Sequence, residues 1–277
     1  MLKNLLVGYN ASPSADAALR AAMALAGAHR AQLTAVMAHG LSDATRGMPG
    51  WMPKGVRASV RAALAHRGAD VRARFDRLCA EAAPASLPKW IEAEGEPGPT
   101  VGMMARYFDL VLVGQYERVM RGDELSLSPD AVVLMGGRPV LCMPADADPA
   151  STAAPRHVVV AWDGKRAAAR ALMDSLPLLR GAQMTTLLSV GEARGDGLPA
   201  GISAPGYLEA HGIAAQAICE PHHGRRTHET ILAECARLDA DLLVMGAFEH
   251  PKPLEDLVGG VTRSILESAR LPVLMSH

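Results

Sequence analysis

The sequence repeats itself once, and this repeat constrains the fold more than any other feature. Three segments of the first half recur in the same order in the second half of the 277-residue chain. The matching pairs are residues 4–10 with 157–163, 109–114 with 241–246, and 138–143 with 271–276. Self-similarity in a fixed order indicates a duplicated structural unit. The chain is therefore predicted to fold as two copies of one domain.

A linker is predicted between the two copies. Residues 145–155 are rich in Pro, Asp, Ser and Ala, a composition typical of connecting segments. This segment places the first domain at residues 1–146 and the second at residues 156–277. The chain length agrees with two domains of roughly 150 residues each.

The order of the apolar segments predicts the fold class. In the second half, short apolar runs alternate with helical patterns at residues 166–180, 227–238 and 261–270. Continuous apolar runs are typical of strands that are buried on both faces. Their alternation with helices implies right-handed crossovers and a parallel sheet covered on both sides. The sequence therefore predicts an α/β fold with two doubly wound parallel-sheet domains in tandem.

The first half follows the same plan and adds a long helical insertion. Its first helix is expected to begin with Ser12 as the N-cap and Pro13 at the first helical position. The insertion is predicted to form a helix over residues 58–83. Apolar side chains recur there at helical spacing and define one face: Val60, Leu64, Val71, Phe75 and Leu78.

Composition excludes several classes of partner. The chain has 28 basic and 29 acidic residues, so no uniform basic field is available for nucleic acid. Aromatic residues make up only 4%, which argues against a surface for stacking bases. The longest stretches without Asp, Glu, Lys or Arg have 12 residues, as at 197–208, and a membrane-spanning helix needs roughly 18. Neither nucleic acid nor a membrane is expected as a partner.

The cysteines and the N-terminal residues indicate a cytoplasmic protein. The first ten residues lack the apolar core of a secretory signal. The four cysteines form no C-x-x-C pair and are expected to be small core residues, as in a reducing compartment. The sequence also has no G-x-S-x-G, H-E-x-x-H or Walker A motif, so we expect a protein that is not an enzyme.

The segments at 242–250, 258–263 and 271–274 resemble the universal stress protein family, in its tandem two-domain form. They read Leu-Leu-Val-Met-Gly-Ala-Phe-Glu-His, Val-Gly-Gly-Val-Thr-Arg and Leu-Pro-Val-Leu, and the resemblance covers nearly the whole chain. It implies Rossmann-like five-stranded domains with strand order 3-2-1-4-5, which usually dimerise through the last strand. It also implies a role in the stress response.

ATP-binding members of the family carry a glycine signature, Gly-x2-Gly-x9-Gly-Ser/Thr, and an acidic residue after the first strand. Glycines let backbone N–H groups approach phosphate oxygens beside a helix N-terminus. By this resemblance Asp163 meets the nucleoside, and the phosphates are met by Gly246, Gly259, Gly260, Thr262 and Arg263. The implied cofactor is ATP, with no metal beyond Mg²⁺ bound to the nucleotide.

The second half departs from this signature at two positions. Glu249 stands where the second glycine belongs, and Gly260 replaces the Ser or Thr. Two like charges about 4 Å apart repel by up to roughly 4 kcal/mol at an effective dielectric of about 20. Glu249 is therefore expected to weaken phosphate binding.

The first half departs further and is expected to have a structural role. Asn10 stands where the acidic residue belongs, and no glycine follows Gly114 at the two-residue spacing. The next helix begins with Ser128 and Pro129, and proline removes a backbone donor. The sequence therefore predicts a degenerate site in the first domain.

A dense polar segment at residues 221–228 has two interpretations. Its histidines lack a cysteine partner at a fixed offset, so a metal site is disfavoured. The favoured interpretation is a solvated loop that ends in a helix N-cap at Thr227. Contact of Arg225 or Arg226 with an anion is the alternative.

Two functional hypotheses remain open. The first is a cytoplasmic stress-response protein that binds an adenine nucleotide in the second domain. The second is an interaction scaffold with decayed nucleotide sites, in which the 58–83 helix offers a surface to an unidentified protein partner. In either case the halves are expected to pair as an internal pseudo-dimer through residues 140–143 and 273–275, and a homodimer of the chain is compatible with both.

Overall fold

The computed structural model describes residues 1–40, 54–116, 125–191, 199, 201–248 and 260–277, with the backbone alone for residues 54–65. The strands are β1 Asn4–Gly8, β2 Gln32–His39, β3 Lys89–Glu94, β4 Leu110–Gly114, β5 Val140–Met143, β6 His157–Ala161, β7 Met184–Val190, β8 Gln216–Glu220, β9 Leu242–Gly246 and β10 Val273–Ser276. The helices are α1 Pro13–His29, α2 Lys54–Ala82, α3 Pro97–Ala105, α4 Pro129–Gly136, α5 Pro149–Ala153, α6 Arg166–Leu179, α7 Ala204–Ala210, α8 Thr227–Arg237 and α9 Val261–Ser268.

The ten strands form one sheet in the order β3-β2-β1-β4-β5-β10-β9-β6-β7-β8. Each half has the order 3-2-1-4-5, and the strands within each half are parallel. The apolar runs lie at the centre, where Leu5, Leu6 and Val7 are fully buried. The predicted fold class of two tandem doubly wound domains is confirmed.

The two halves are joined edge to edge by an antiparallel pair of strands. Val273, Leu274 and Met275 of β10 lie opposite Cys142, Leu141 and Val140 of β5. This is the predicted internal pairing, and it is confirmed. Because β5 and β10 run in opposite directions, the carboxyl ends of the strands lie at opposite edges of the shared sheet in the two halves.

Helices cover both faces of the sheet. Helices α1, α2, α5, α6 and α7 pack on one face, around residues such as Leu19 and Leu172. Helices α3, α4, α8 and α9 pack on the other face, around residues such as Val132 and Ile265. This arrangement follows from the strand order, since the crossovers change faces where the winding direction changes.

In each half, an aspartate precedes the fourth strand of that half, and its contacts explain why residues 109–114 and 241–246 match. The Asp109 carboxylate accepts hydrogen bonds from the backbone N–H groups of Lys3 (2.7 Å) and Asn4 (3.0 Å). Asp241 accepts the equivalent bonds from Arg156 (2.6 Å) and His157 (3.0 Å). Burial raises the pKa of Asp241, but these bonds and the Arg156 guanidinium outweigh burial and hold the pKa below its usual value. Each aspartate therefore ties the start of one central strand to its neighbour.

The insertion forms helix α2, four residues earlier at its start than predicted. The buried face is confirmed for Val71, Phe75 and Leu78, while the side chains of Val60 and Leu64 lie outside the described residues. The Phe75 ring contacts Tyr9 and Trp90, with centroids 5.9 and 4.7 Å apart. Helix α2 thus closes the apolar face of the first half.

A buried ionic contact fastens α2 to α1. The Asp16 side chain is 5% exposed, and its carboxylate accepts from the Tyr9 hydroxyl (2.8 Å) and from Arg74 Nε (2.8 Å). Burial, together with the bond to Asp16, raises the pKa of Tyr9 well above its ordinary value. Tyr9 therefore remains a protonated donor, and Arg74 supplies the charge that offsets the buried carboxylate.

Two details differ from the sequence-based expectation. The predicted linker contains helix α5, which is capped by Asp148 and buries Thr152, because this segment packs against α1. All four cysteines are free thiols, but Cys219 on the edge strand β8 is exposed, whereas Cys79, Cys142 and Cys235 are buried.

In the described part of the chain, no helix is long and apolar enough to cross a membrane.

Candidate functional site

The candidate site of the second half lies where the winding direction changes, between β6 and β9. These strands are hydrogen-bonded neighbours, and Asp163 follows the end of β6 while Gly246 ends β9. The Asp163 carboxylate is exposed and accepts a hydrogen bond from the Lys165 N–H at 3.0 Å. Ligands of open α/β sheets bind at such a position, outside the carboxyl ends of the strands.

Gly246 is required by packing. A Cβ at this position would lie 2.5 Å from the backbone N of Ala168 and 2.6 Å from the carbonyl carbon of Ala167, in the first turn of α6. Gly114 ends β4 in the same way, because its Cβ would lie 2.7 Å from the backbone N of Ala15. The recurrence of this glycine in both halves is the signal in the sequence for a packing role. From the sequence, Gly246 is assigned to phosphate contact alone.

Helix α9 begins at the same sheet edge as Asp163. Gly260 is its N-cap residue, is exposed and provides no side-chain cap, and a Cβ there would have no atom of the described residues within 4 Å. Thr262 is buried, and its hydroxyl accepts a hydrogen bond from the Phe248 N–H at 3.3 Å. The first N–H groups of a helix lack partners within the helix and carry partial positive charge. The start of α9 therefore presents backbone donors at this edge of the sheet.

The side chain of Arg263 is paired further along α9 and is not directed at the start of this helix. Its Nε donates to Glu267 Oε1, one turn further along α9, at 3.2 Å. The bond to Glu267 raises the pKa of Arg263, with further contributions from Tyr116 and Asp130 of the first half. The structure thus brings Asp163, Gly246, Gly260 and Thr262 to one edge and leaves Arg263 in an ion pair. Gly259 and Glu249 lie outside the described residues.

The equivalent crevice of the first half is a small polar cleft lined by residues that include Gly8, Asn10, Ser14 and Gln115. Asn10 Nδ2 donates to the Leu125 carbonyl at 3.0 Å, and Asn10 Oδ1 accepts from the Ser12 N–H at 3.2 Å. The Leu127 side chain covers Gly8, with Cδ1 only 2.6 Å from where a Cβ would lie. The chain therefore uses the polar groups of this cleft for its own contacts.

Two further polar residues at this cleft were missed by sequence reasoning. The Ser14 hydroxyl donates to the Gln115 carbonyl at 3.1 Å, and Gln115 Nε2 donates to the Ala269 carbonyl of the second half at 3.0 Å. No motif in the sequence marked Gln115, because its partner is 154 residues away. A contact between the two halves depends on tertiary structure alone.

The segment at 221–228 has the predicted form of an exposed turn before a helix. Helix α8 begins at Thr227 as expected, but the N-cap residue is Arg226, whose N–H donates to Glu229 at 2.9 Å. His222, His223 and Arg225 are exposed. Among the residues that the structure describes, no three His, Cys, Asp or Glu side chains are grouped to hold a metal ion.

Comparisons with known proteins agree with this architecture. Residues 154–277 match the model of the Universal stress protein family. A universal stress protein from Archaeoglobus fulgidus DSM 4304 has a similar structure, with a TM-score of 0.72 and 15% sequence identity over 99% of this chain and 95% of that chain. A functionally unknown protein from Pseudomonas aeruginosa PAO1 aligns with a TM-score of 0.54 and 16% identity over 99% of this chain and 92% of that chain. At these identities the likeness shows a shared fold. No protein of curated function matches the sequence significantly.

Proposed function

Because residues 154–277 belong to the universal stress protein family, we propose that the chain is a non-catalytic, cytoplasmic stress-response protein whose second half binds an adenine nucleotide. The free thiols are consistent with a reducing compartment. Under this proposal the first half has lost its ligand site and serves as a structural partner of the second.

One observation carries the proposal. An exposed carboxylate, Asp163, and a helix N-terminus without a side-chain cap, at Gly260, lie at the carboxyl ends of the adjacent strands β6 and β9. A carboxylate accepts hydrogen bonds from ribose hydroxyls, and a helix N-terminus attracts phosphate. The two groups therefore suit the two ends of a nucleotide.

The described residues at this edge fit a nucleotide, but the positive charge of Arg263 is already paired with Glu267. Thr262 fixes the start of α9, and Gly246 lets the first turn of α6 approach the end of β9. Arg263 contacts phosphate only if its guanidinium releases Glu267. Gly259 is assigned to the phosphates on the sequence signature, and any Mg²⁺ would be bound through the nucleotide.

The proposal is tested by native mass spectrometry of the purified protein, followed by calorimetric titration with Mg-ATP. A mass increment of one adenine nucleotide, or saturable binding, is expected. Asp163→Asn should weaken binding roughly fivefold or more, because a neutral amide is a weaker acceptor than a carboxylate. A protein that stays free of nucleotide at millimolar ATP would refute the proposal.

Two substitutions in the glycine signature sharpen the test. Glu249→Gly should tighten ATP binding more than tenfold, since about 1.4 kcal/mol of relieved repulsion corresponds to a factor of ten. Gly259→Val should abolish binding, because a branched side chain blocks the approach of backbone donors to phosphate. Unchanged titrations for both variants would refute the assignment of this loop to phosphate.

A second candidate function, an interaction scaffold, is supported by the length of α2. This helix has 29 residues and is about 43 Å long, whereas the eight residues of β2 span about 26 Å. A helix longer than the sheet beneath it extends beyond that sheet, and this extension is the surface proposed for a protein partner. Failure of ATP binding, with loss of partner capture after deletion of residues 54–65, would favour the scaffold.

A further inference from the structure

Helix α9 is held at its C-terminal end by the first half of the molecule. Gln115 lies directly after β4, and its side-chain amide donates to the carbonyl of Ala269, the residue that follows α9. The donor–acceptor distance is 3.0 Å, which is ordinary for a neutral hydrogen bond. This bond crosses from one half of the molecule to the other.

The other end of the same helix belongs to the candidate site. Helix α9 has eight residues and is about 12 Å long, with Gly260 and Thr262 at its start. A short helix moves as a rigid unit, so a displacement of its C-terminal end also changes the position of its N-terminal donors. The bond from Gln115 is therefore about two helical turns from the proposed phosphate contacts.

Gln115 is itself fixed by the polar cleft of the first half. Its backbone N–H donates to the Met143 carbonyl at 2.8 Å, and its carbonyl accepts from the Ser14 hydroxyl at 3.1 Å. Both backbone groups are thus used before the side chain reaches across to Ala269. The first-half cleft has no acidic residue for a nucleotide, but its contacts hold the backbone of Gln115 in place. The side-chain amide therefore starts from a fixed position.

The side-chain hydrogen bond from Gln115 has no counterpart at the equivalent position of the second half. Ala247 is the counterpart of Gln115 and makes the same backbone bond, from its N–H to the Ser276 carbonyl at 2.9 Å. An alanine has no amide to extend to the opposite half, so the second half has no equivalent hold at this position on α4. Arg263 adds to the asymmetry, because it lies within the electrostatic influence of Tyr116 and Asp130 of the first half.

We propose that Gln115 is a positioning residue for the ligand site of the second half, acting through the C-terminal end of α9. The inference rests on the proposed function for its effect on nucleotide binding, while the hold on α9 is independent of any ligand. The first half, on this account, sets the affinity of a site to which it contributes no ligand contact.

The test uses the full chain and three variants. Gln115→Met keeps the length of the side chain and removes the donor, and Gln115→Ala removes both. Asn4→Ala is the matched control, because Asn4 Nδ2 also donates to a backbone carbonyl, that of Tyr107, at 3.0 Å, but within the first half. Amide hydrogen exchange of residues 261–269 is measured without nucleotide, and Mg-ATP affinity is measured by calorimetry.

Both Gln115 variants should speed exchange in α9 and weaken ATP binding by up to roughly tenfold, because the order that one neutral hydrogen bond supplies to α9 must then come out of the binding free energy. Asn4→Ala should change neither quantity. Unchanged exchange in α9 for Gln115→Met overturns the proposal, as does faster exchange with unchanged affinity in a protein that binds ATP. If the wild-type chain binds no ATP, the proposed function fails, and the exchange rates alone decide whether Gln115 holds α9.

Discussion

The two halves share a strand order but differ in what occupies the crevice at their winding switch. In the first half Asn10 bonds to the chain itself and Leu127 covers Gly8, whereas in the second half the Asp163 carboxylate is exposed. The residues that hold the scaffold together, such as Asp109 and Asp241, are the same in both. Both side chains accept a bond from the N–H two residues further along, and the Asp163 carboxylate also lies 3.8 Å from Lys165 Nζ. Duplication has thus kept the groups that fix strand positions, while the side chain after the first strand differs in charge, in exposure and in whether it bonds across the crevice.

The halves also differ in how the last two helices pack. A Cβ at Gly98 or Gly102 of α3 would lie 2.8 or 2.9 Å from the Cβ of Ala131 or Met135 of α4, so these two helices touch backbone to backbone. Helix α8 has no glycine in its sequence, and its buried residues Ile231 and Cys235 face the core with their side chains. Among the described residues, α9 therefore makes no contact with α8 as close as that of α4 with α3, which gives the bond from Gln115 more importance.

The largest expected effect concerns the glycine that both halves share. Gly114→Ala and Gly246→Ala should each lower the free energy of unfolding by about 3 kcal/mol, because the new Cβ meets backbone atoms of a helix turn that cannot move aside. Urea denaturation measures the change.

Gly27→Ala is the control for these variants. It lies in α1 with no atom within 4 Å of a new Cβ, and it should gain up to about 1 kcal/mol. A wild-type stability for Gly246→Ala would show that the second half tolerates a wider separation of β9 and α6 than the first.

The next effect concerns the insertion that only the first half carries. Arg74→Met should cost about 2 kcal/mol, below the roughly 3–5 kcal/mol for a fully buried pair, because Asp16 is 5% exposed but Arg74 is 45% exposed. Arg20→Met is the matched control, since the pair of Arg20 with Glu81 also joins α1 to α2 but is exposed on both sides. The control should change the unfolding free energy by less than about 0.5 kcal/mol. Equal losses in the two variants would contradict the role assigned to the buried carboxylate.

A smaller effect depends on pH in the second half. The folded-state pKa of Asp241 lies below the value of about 3.9 in the unfolded chain, so its contribution is present above that value and is lost as pH falls through the folded pKa. Asp241→Asn should therefore lower the unfolding free energy by about 1–2 kcal/mol at pH 7. The difference from wild type should shrink below pH 4, as measured by urea denaturation at both pH values. A difference that stays constant would mean that the charge of Asp241 is not what stabilises the strand.

The smallest effect comes from exchanging the residue that distinguishes the crevices. Asn10→Asp removes the donor to the Leu125 carbonyl and should cost about 1 kcal/mol without creating an ATP site, because Leu127 still covers Gly8. Asp163→Asn should leave stability within about 0.5 kcal/mol of wild type, since the side chain is exposed. Gain of a second ATP equivalent in Asn10→Asp, counted by native mass spectrometry, would show that the first-half cleft opens more easily than its contacts indicate.

Much of the fold follows from local patterns that can be recognised in the sequence alone. The repeated apolar runs, Ser12 and Pro13 at the start of α1, and the apolar face of the insertion at Val71 and Phe75 each depend on neighbours in sequence. The candidate site was predictable only in part. Asp163 and Gly260 are marked by position after a strand and before a helix, but the packing role of Gly246 and the ion pair of Arg263 depend on which helix turn lies alongside.

The duplication, the fold class and the edge of the sheet at which a ligand is expected all follow from the order of the amino acids, because periodicity and strand–helix alternation are properties of short segments. Three contacts are visible only in the folded chain: Asn10 and Leu127 occupy the first crevice, Arg74 pairs with Asp16, and Gln115 bonds to the end of α9. These contacts join residues that are 58 to 154 positions apart, or depend on side chains meeting across elements. Such pairings leave no local pattern, because their free energy arises only when the sheet has brought the two groups together.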